Sequence, residues 1–307
     1  MNIDLSNWKL QLPIDAKGSF RGKAAEVLSP ASYSHSDYFH MGNGGIVLAA
    51  PVNGATTGGS DYARSELREM NGSAKAGWSV AQGGRLSATV RVDAAPTQSD
   101  GSFGKVVVGQ IHGGSGQLVR LAWEDGTLFY ANDKTTNGTK DLHIELLNSS
   151  GQQPSVSRNE TFSYVLDVSA NTLTVSVKAD GQTYSSSSPI HRSWTDNAFY
   201  FKAGAYLGVN ERGGSSVGQV SIFRLDVDHD RSGALNSPTS FPGSWQKLVG
   251  TYGGDAEHTA LVQHLITYNK ITGEVLYDGN SSAQSFVGLS DMLQNHAMLD
   301  MHSFYTL

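Results

Sequence analysis

Helical periodicity is almost absent from residues 1–231, where polar and apolar side chains alternate with period two in one short run after another. Leu86, Ala88, Val90 and Val92 alternate with Ser87, Thr89 and Arg91; Tyr164, Leu166 and Val168 alternate, as do Leu173, Val175 and Val177. Runs at 106–112, 118–123, 127–131, 142–147 and 217–227 have the same character. Asp125-Gly126 and Asp180-Gly181 lie between runs as hairpin turn signals. A chain of serial strands and glycine-rich turns (35 Gly against 8 Pro in 307 residues) has few ways to bury its apolar faces. The expectation is an all-β fold, a sandwich or jelly roll of antiparallel sheets. Near residue 232 the texture changes. Residues 232–243 are rich in Ser, Pro and Gly and read as a linker. Beyond them, 259–266 and 289–300 suggest short helices and 271–279 a hairpin, so residues 232–307 are expected to form a small mixed extension.

Composition removes several classes of function. The absence of cysteine excludes disulfides and thiolate metal sites. No apolar run approaches the roughly 20 residues of a membrane span, and no basic segment followed by an apolar stretch opens the chain as a secretory signal would. A net charge of −6 does not suit a nucleic-acid binder. An anionic ligand would need a local cationic cleft, whose potential matters more than the net charge. Low charge with many turns suits a secreted β-rich protein.

Three segments supply such a cleft. In Arg64-Ser65-Glu66-Leu67-Arg68 the three charged side chains share one face of a strand. In Gln110-Ile111-His112 the amide and the imidazole share a face, and in Tyr200-Phe201-Lys202-Ala203-Gly204-Ala205-Tyr206 so do Tyr200, Lys202 and Tyr206. Taken singly, each reads as a solvated strand face, a structural histidine or an edge strand. If the three strands are neighbours, one sheet face carries cations, an amide, an imidazole and phenols.

That set suits a polymer of uronic acids. Breaking such a chain by β-elimination requires that the carboxylate be neutralised, that C5 lose a proton and that O4 gain one. Arg64 and Gln110 can donate to the carboxylate and stabilise the enolate-like transition state. His112 can serve as base, and Tyr206 as acid, or as base if neighbouring cations favour phenolate. In mannuronate the C5 proton and O4 lie on the same side, so Tyr206 alone could serve both roles. In guluronate they lie on opposite sides, so His112 would abstract and Tyr206 would donate. None of these steps requires a metal ion. Asp226, Asp228 and Asp230 share a face and could bind calcium, but read better as a solvated strand end; His35 and His40 lack metal-ligand company.

The three segments, in this order and spacing, resemble the signature strands of alginate lyases of polysaccharide lyase family 7, and Leu5-Ser6-Asn7-Trp8-Lys9-Leu10-Gln11-Leu12-Pro13 is similar to that family's first strand. The resemblance runs to about Asp228. It implies a β-jelly roll with a concave cleft over residues 1–231 and an endo-acting lyase that yields unsaturated oligosaccharides. It also implies Arg64, Gln110, His112 and Tyr206 as the catalytic set, with Glu66, Arg68, Tyr200 and Lys202 lining the groove. Ile111 is associated in that family with guluronate-containing stretches. The family often has Gln two residues after the second Tyr; here that position is Gly208, and Asn210 is the substitute. The glycine-rich segments 53–60 and 208–218 flank the site as lids or plain loops.

No cofactor, nucleic acid or membrane is expected, and the chain is expected to act as a monomer on an anionic polysaccharide. Residues 266–278, with Asn295-His296 and Phe304, resemble the end of repeats-in-toxin cargo of type I secretion, which implies export by that route. The rival readings are a lyase on another polyuronate such as glucuronan, a glycoside hydrolase, and a non-catalytic polysaccharide-binding module. Hydrolysis needs two flanking carboxyl groups, and the suspect face is cationic.

Overall fold

In the strand Gly84–Ala94, Leu86, Ala88, Val90 and Val92 are buried while Arg85, Ser87, Thr89 and Arg91 are half-buried. Thr161–Ser169 repeats the pattern with Phe162, Tyr164, Leu166 and Val168 inward, and Thr172–Ala179 with Leu173, Val175 and Val177. One face in and one face out is the mark of an antiparallel sheet packed on one side. The computed structural model describes residues 3–42, 44–114, 116–133 and 142–229, and the backbone of four short strands beyond them.

These strands belong to an open sandwich of antiparallel sheets with jelly-roll character. A seven-stranded sheet runs in the order Gln182–Pro189, Thr172–Ala179, Thr161–Ser169, Gly84–Ala94, Val217–Asp228, Gly45–Pro51, Phe39–Gly42. Facing it, the main path of a nine-stranded sheet runs Leu142–Glu145, Thr127–Asn132, Gly116–Glu124, Val106–Gly113, Phe199–Leu207, Arg64–Asn71, Trp8–Gln11, Glu26–Val27. Between them lies one apolar core, to which the second sheet contributes Leu10, Leu67, Ile111 and Phe201 and the first Leu86, Val90, Phe162 and Leu166. Truncating one such leucine to alanine costs about 2–5 kcal/mol. Among the described residues, the only helical segments are two single 3₁₀ turns, Pro30–Ser32 and Arg192–Trp194. At both Asp125-Gly126 and Asp180-Gly181 the two residues adopt positive φ, as a two-residue hairpin requires.

The central strands of the nine-stranded sheet break the alternation. Seven of the eight residues of Arg64–Asn71 are buried, as are seven of the eight of Val106–Gly113. On the outward face Arg64, Glu66, Arg68 and Gln110 are buried among polar neighbours, beside the apolar Met70 and Val107.

The pairing also contains a paired irregularity. Between Val106–Gly113 and Gly116–Glu124 the register slips from Leu121 opposite Gly109 to Ala122 opposite Val107. Between Val106–Gly113 and Phe199–Leu207 it slips between Ala203 and Tyr206. Such a bulge leaves a ladder group unpaired, and the core supplies a partner: the buried Tyr164 phenol donates to the Val108 carbonyl at 2.9 Å. A Cβ on Gly109 would lie 2.6 Å from that phenol oxygen, so only glycine fits. Through this slip Val106, Val108 and Ile111 all face the core while Gln110 and His112 face outward.

Residues 235–307 form a second unit. Its described strands pair antiparallel in the order Val275–Asp278, Leu265–Asn269, Trp245–Val249, Tyr305–Thr306. The helix expected over 259–266 therefore gives way to a strand at its last two positions, and the rest of it lies outside the described residues. The hairpin expected over 271–279 supplies the strand Val275–Asp278, paired with Leu265–Asn269. The helix expected over 289–300 lies outside the described residues.

Candidate active site

The three chemically rich segments are adjacent strands. Phe199–Leu207 pairs with Arg64–Asn71 on one side and Val106–Gly113 on the other. Register then places side chains in rows across the sheet. Lys9 lies opposite Arg68, Arg68 opposite Lys202, Lys202 opposite Gln110, and Gln110 opposite Arg120. Four cations and an amide thus cross five strands, about 19 Å at the usual strand spacing of ~4.8 Å. Tyr200 lies opposite His112, and His112 opposite Gln117. Tyr206 lies opposite Arg64.

Like charges set opposite one another destabilise a sheet. Glu66 is the counterweight. It is fully buried, and its carboxylate accepts from Arg64 Nη1 at 3.1 Å, from the Lys202 ammonium and from the Gln110 amide. Burial pushes the Glu66 carboxyl up, but the charges of Lys202 and Arg64, with hydrogen bonds from Lys202 and Gln110, outweigh it and hold the group ionised. Lys202 falls to about 8, because burial outweighs its attraction to Glu66.

Above this network opens a groove of about 340 Å³. Arg64, Arg68, Gln110, His112, Tyr200, Lys202 and Tyr206 all line it. The His112 ring stacks on Tyr200 at 5.0 Å between centroids. Burial, then the charge of Lys202, brings His112 down to about 4 despite the opposing pull of Glu66, so the imidazole is neutral at physiological pH. Its Nδ1 is buried without a hydrogen-bond partner. The guanidinium carbon of Arg64 lies 3.8 Å above the Tyr206 ring, and that of Arg68 lies 3.8 Å above Tyr200. The Tyr206 hydroxyl is 3.3 Å from Ser60 Oγ, which also accepts from Arg64 Nη2 at 3.0 Å. In register, the Lys202–Gln110 row lies between the row of His112 and that of Tyr206.

Two expected groove residues are placed otherwise. Glu66 lies beneath the floor, since three donors hold its carboxylate away from solvent, and it positions the cations without lining the groove. Asn210 ties its loop to the segment before Arg64, donating to the Asp61 carbonyl at 3.4 Å, and accepts from Arg212 N within its own loop. It does not line the groove. Thr57, Gly58, Gly59 and Ser60 of the first glycine-rich segment do line it. The second segment holds Gly214–Ser215, which pairs with Thr97–Gln98.

Sequence reasoning missed Lys9, Gln11, Glu26, Lys75 and Gln117, which also line the groove. For Lys9 and Gln11 a signal existed, because they alternate with Trp8, Leu10 and Leu12. Among the described residues, no group of three or more His, Asp or Glu is arranged to hold a metal ion. Asp226 pairs with Arg224 at 2.5 Å, and Asp230 lies outside the described residues. No described helix is long and apolar enough to cross a membrane.

A family model described as alginate lyase matches residues 3–229. An alginate lyase from Klebsiella pneumoniae is 28% identical over 277 residues, covering 74% of this chain and 90% of its own. The crystal structure of alginate lyase from that organism superposes with a TM-score of 0.65 at 26% identity, over 74% of this chain and 96% of that one. The alginate lyase from Corynebacterium sp. gives 0.61 at 29% identity, over 74% and 96%. A family 7 alginate lyase solved in complex with a substrate written GGMG gives 0.61 at 27%, over 75% and 95%.

Proposed function

The chain belongs to the alginate lyase family, and on that footing we propose how its groove carries out the reaction and which residues do so. The activity is β-elimination at the 1,4-glycosidic bonds of alginate, within the chain, giving unsaturated uronate oligosaccharides. The observation that supports the residue roles most strongly is the buried carboxylate of Glu66, which gathers Arg64, Lys202 and Gln110 under one groove between His112 and Tyr206.

In this reading the sugar carboxylate at the cleavage point lies on Arg64 and Gln110. Their donors meet the charge that grows as C5 loses its proton. The C5–H bond breaks towards the base, C4=C5 forms, the C4–O4 bond breaks, and O4 takes the phenol proton of Tyr206. With guluronate the base is His112, whose neutral ring can accept the proton across the operating range. With mannuronate Tyr206 serves as base and then as acid. Arg68, Lys202 and Tyr200 bind neighbouring sugars, so the polymer lies across the strands along the cation row. Guluronate-containing stretches are accepted: a family 7 lyase was solved with GGMG, and Ile111 occupies the centre of the Gln-Ile-His motif.

The test measures ultraviolet absorbance of the unsaturated product on separated guluronate and mannuronate blocks, for the native protein and for His112→Ala and Tyr206→Phe. Reducing ends without that absorbance would mean hydrolysis, and binding without either signal would mean a binding module. Glucuronan, as a third substrate, tests the neighbouring polyuronate reading.

Residues 1–231 form the catalytic domain in this proposal, working as a secreted monomer, and residues 232–307 a linker and extension. The support for type I export is the likeness of residues 266–278 to the end of such cargo. Retention of a chain ending at residue 231 inside cells that export the full chain is the expected result.

A further inference from the structure

The groove has five cationic residues in its lining (Lys9, Arg64, Arg68, Lys75 and Lys202) and, among its described lining residues, one acid, Glu26. A carboxylate is an unexpected wall for a site that binds a polyanion. Its position is at the sheet edge, where Glu26 lies opposite Gln11 in register. Its Oε1 is 2.7 Å from Lys9 Nζ and accepts from Gln11 Nε2 at 3.2 Å. Lys9 is the last cation of the row on this side, and its side chain is only 6% exposed while that of Glu26 is 40% exposed. The other end of the row has a matching device, in which Arg120 is held by Asp133 at 2.8 Å. Between these ends, Arg68 has a ring and a thioether beside it: Tyr200 under its guanidinium and Met70 Sδ at 3.9 Å. Gln11 adds a second clue. Its amide nitrogen is given to Glu26, which fixes the side chain against the carboxylate, and its Oε1 is buried with no hydrogen-bond partner.

We propose that Glu26 ends the row of carboxylate-binding positions: it occupies Lys9, so that the sugar reaching this edge meets the exposed Glu26 carboxylate, an acceptor, with its hydroxyl groups instead of a cation with its carboxylate. Glu26 is in this sense a specificity-determining residue that fixes how many charged sugars the groove holds on the Lys9 side. The inference rests on the alginate lyase reading of the same groove. Glu26→Gln preserves shape and the partnership with Gln11, and frees Lys9 to draw one more substrate carboxylate.

The experiment compares the native protein, Glu26→Gln and Glu26→Gln/Lys9→Met on polymer and on size-defined uronate oligomers at two salt concentrations. Glu26→Gln is expected to lower KM roughly threefold to tenfold for oligomers long enough to reach this edge, with an effect that shrinks at high salt. KM for the shortest cleaved oligomer stays at the native value, the product-length distribution shifts, and the Lys9→Met change cancels the gain. An unchanged or raised KM on long oligomers, or an equal drop for the shortest ones, overturns the proposal. Absence of the unsaturated product with the native protein would instead sink the lyase reading itself, so the two failures are separable.

Discussion

The imidazole of His112 lies flat against the ring of Tyr200, 16° from parallel, with Lys202 and Gln110 one row further along the same strands. This packing removes water from one face of the ring, and the neighbouring cations disfavour a second positive charge. The predicted consequence is a His112 titration midpoint near 4, followed by NMR of the ring protons in the free protein. A midpoint near the ordinary value of about 6.5 would contradict it. The sign for stability follows. Between the folded value of about 4 and the unfolded value of 6.5, the unfolded chain holds more protons, so this group's contribution to stability rises with pH across that window.

Replacing Glu66 by Gln leaves Arg64 and Lys202 buried without their counter-charge. A loss of about 3–5 kcal/mol in unfolding free energy is expected, as when one partner of a buried ion pair is removed. Denaturant unfolding measures it. A loss below about 1 kcal/mol would mean that water reaches the two cations and screens them.

Tyr206→Phe keeps the ring beneath Arg64 and removes the phenol proton. A fall in kcat of about 10²- to 10⁴-fold on both block types, with KM little changed, is the expected result. His112→Ala should lower guluronate cleavage more than mannuronate cleavage. Equal losses on the two blocks would count against the division of roles.

Lys202 sets an alkaline limit. Burial brings its ammonium down to about 8, so above that pH the groove loses a positive charge at its centre. On alginate, kcat/KM should decline as pH rises through about 8, and the decline should appear chiefly in KM. Rates across pH 6–10 at fixed ionic strength check this, and a flat KM would refute it.

Tyr164→Phe deletes the donor to the Val108 carbonyl without changing the ring. About 1–3 kcal/mol of stability should be lost, the cost of a buried carbonyl left unpaired. The bulge it steadies adjoins Gln110, so kcat should fall with it; native kcat in a destabilised variant would assign Tyr164 to folding alone.

The sandwich was legible because alternation is a local property: Gly84–Ala94, Thr161–Ser169 and Thr172–Ala179 each announce their buried face. The groove residues of the three central strands were legible for the same reason, together with their family likeness. What alternation could not convey was depth. Glu66 has the same parity as Arg64 and Arg68, yet it lies beneath the floor because three donors converge on it from two other strands and its own. Nor could it convey edges. Glu26 sits in a two-residue strand too short to show a period, and it reaches the groove only through pairing with Trp8–Gln11. The slip at Val108 and Gly109 was hidden as well, since its partner Tyr164 lies 56 positions from Val108.

Because the cation row runs across strands, hydrogen-bond register and chemistry are one variable in this protein. A single-residue displacement of Arg64–Asn71 would send Arg64, Glu66 and Arg68 into the apolar layer and Leu67 into solvent. A misaligned sheet is therefore rejected by its own energetics before it can persist as an inactive but folded enzyme.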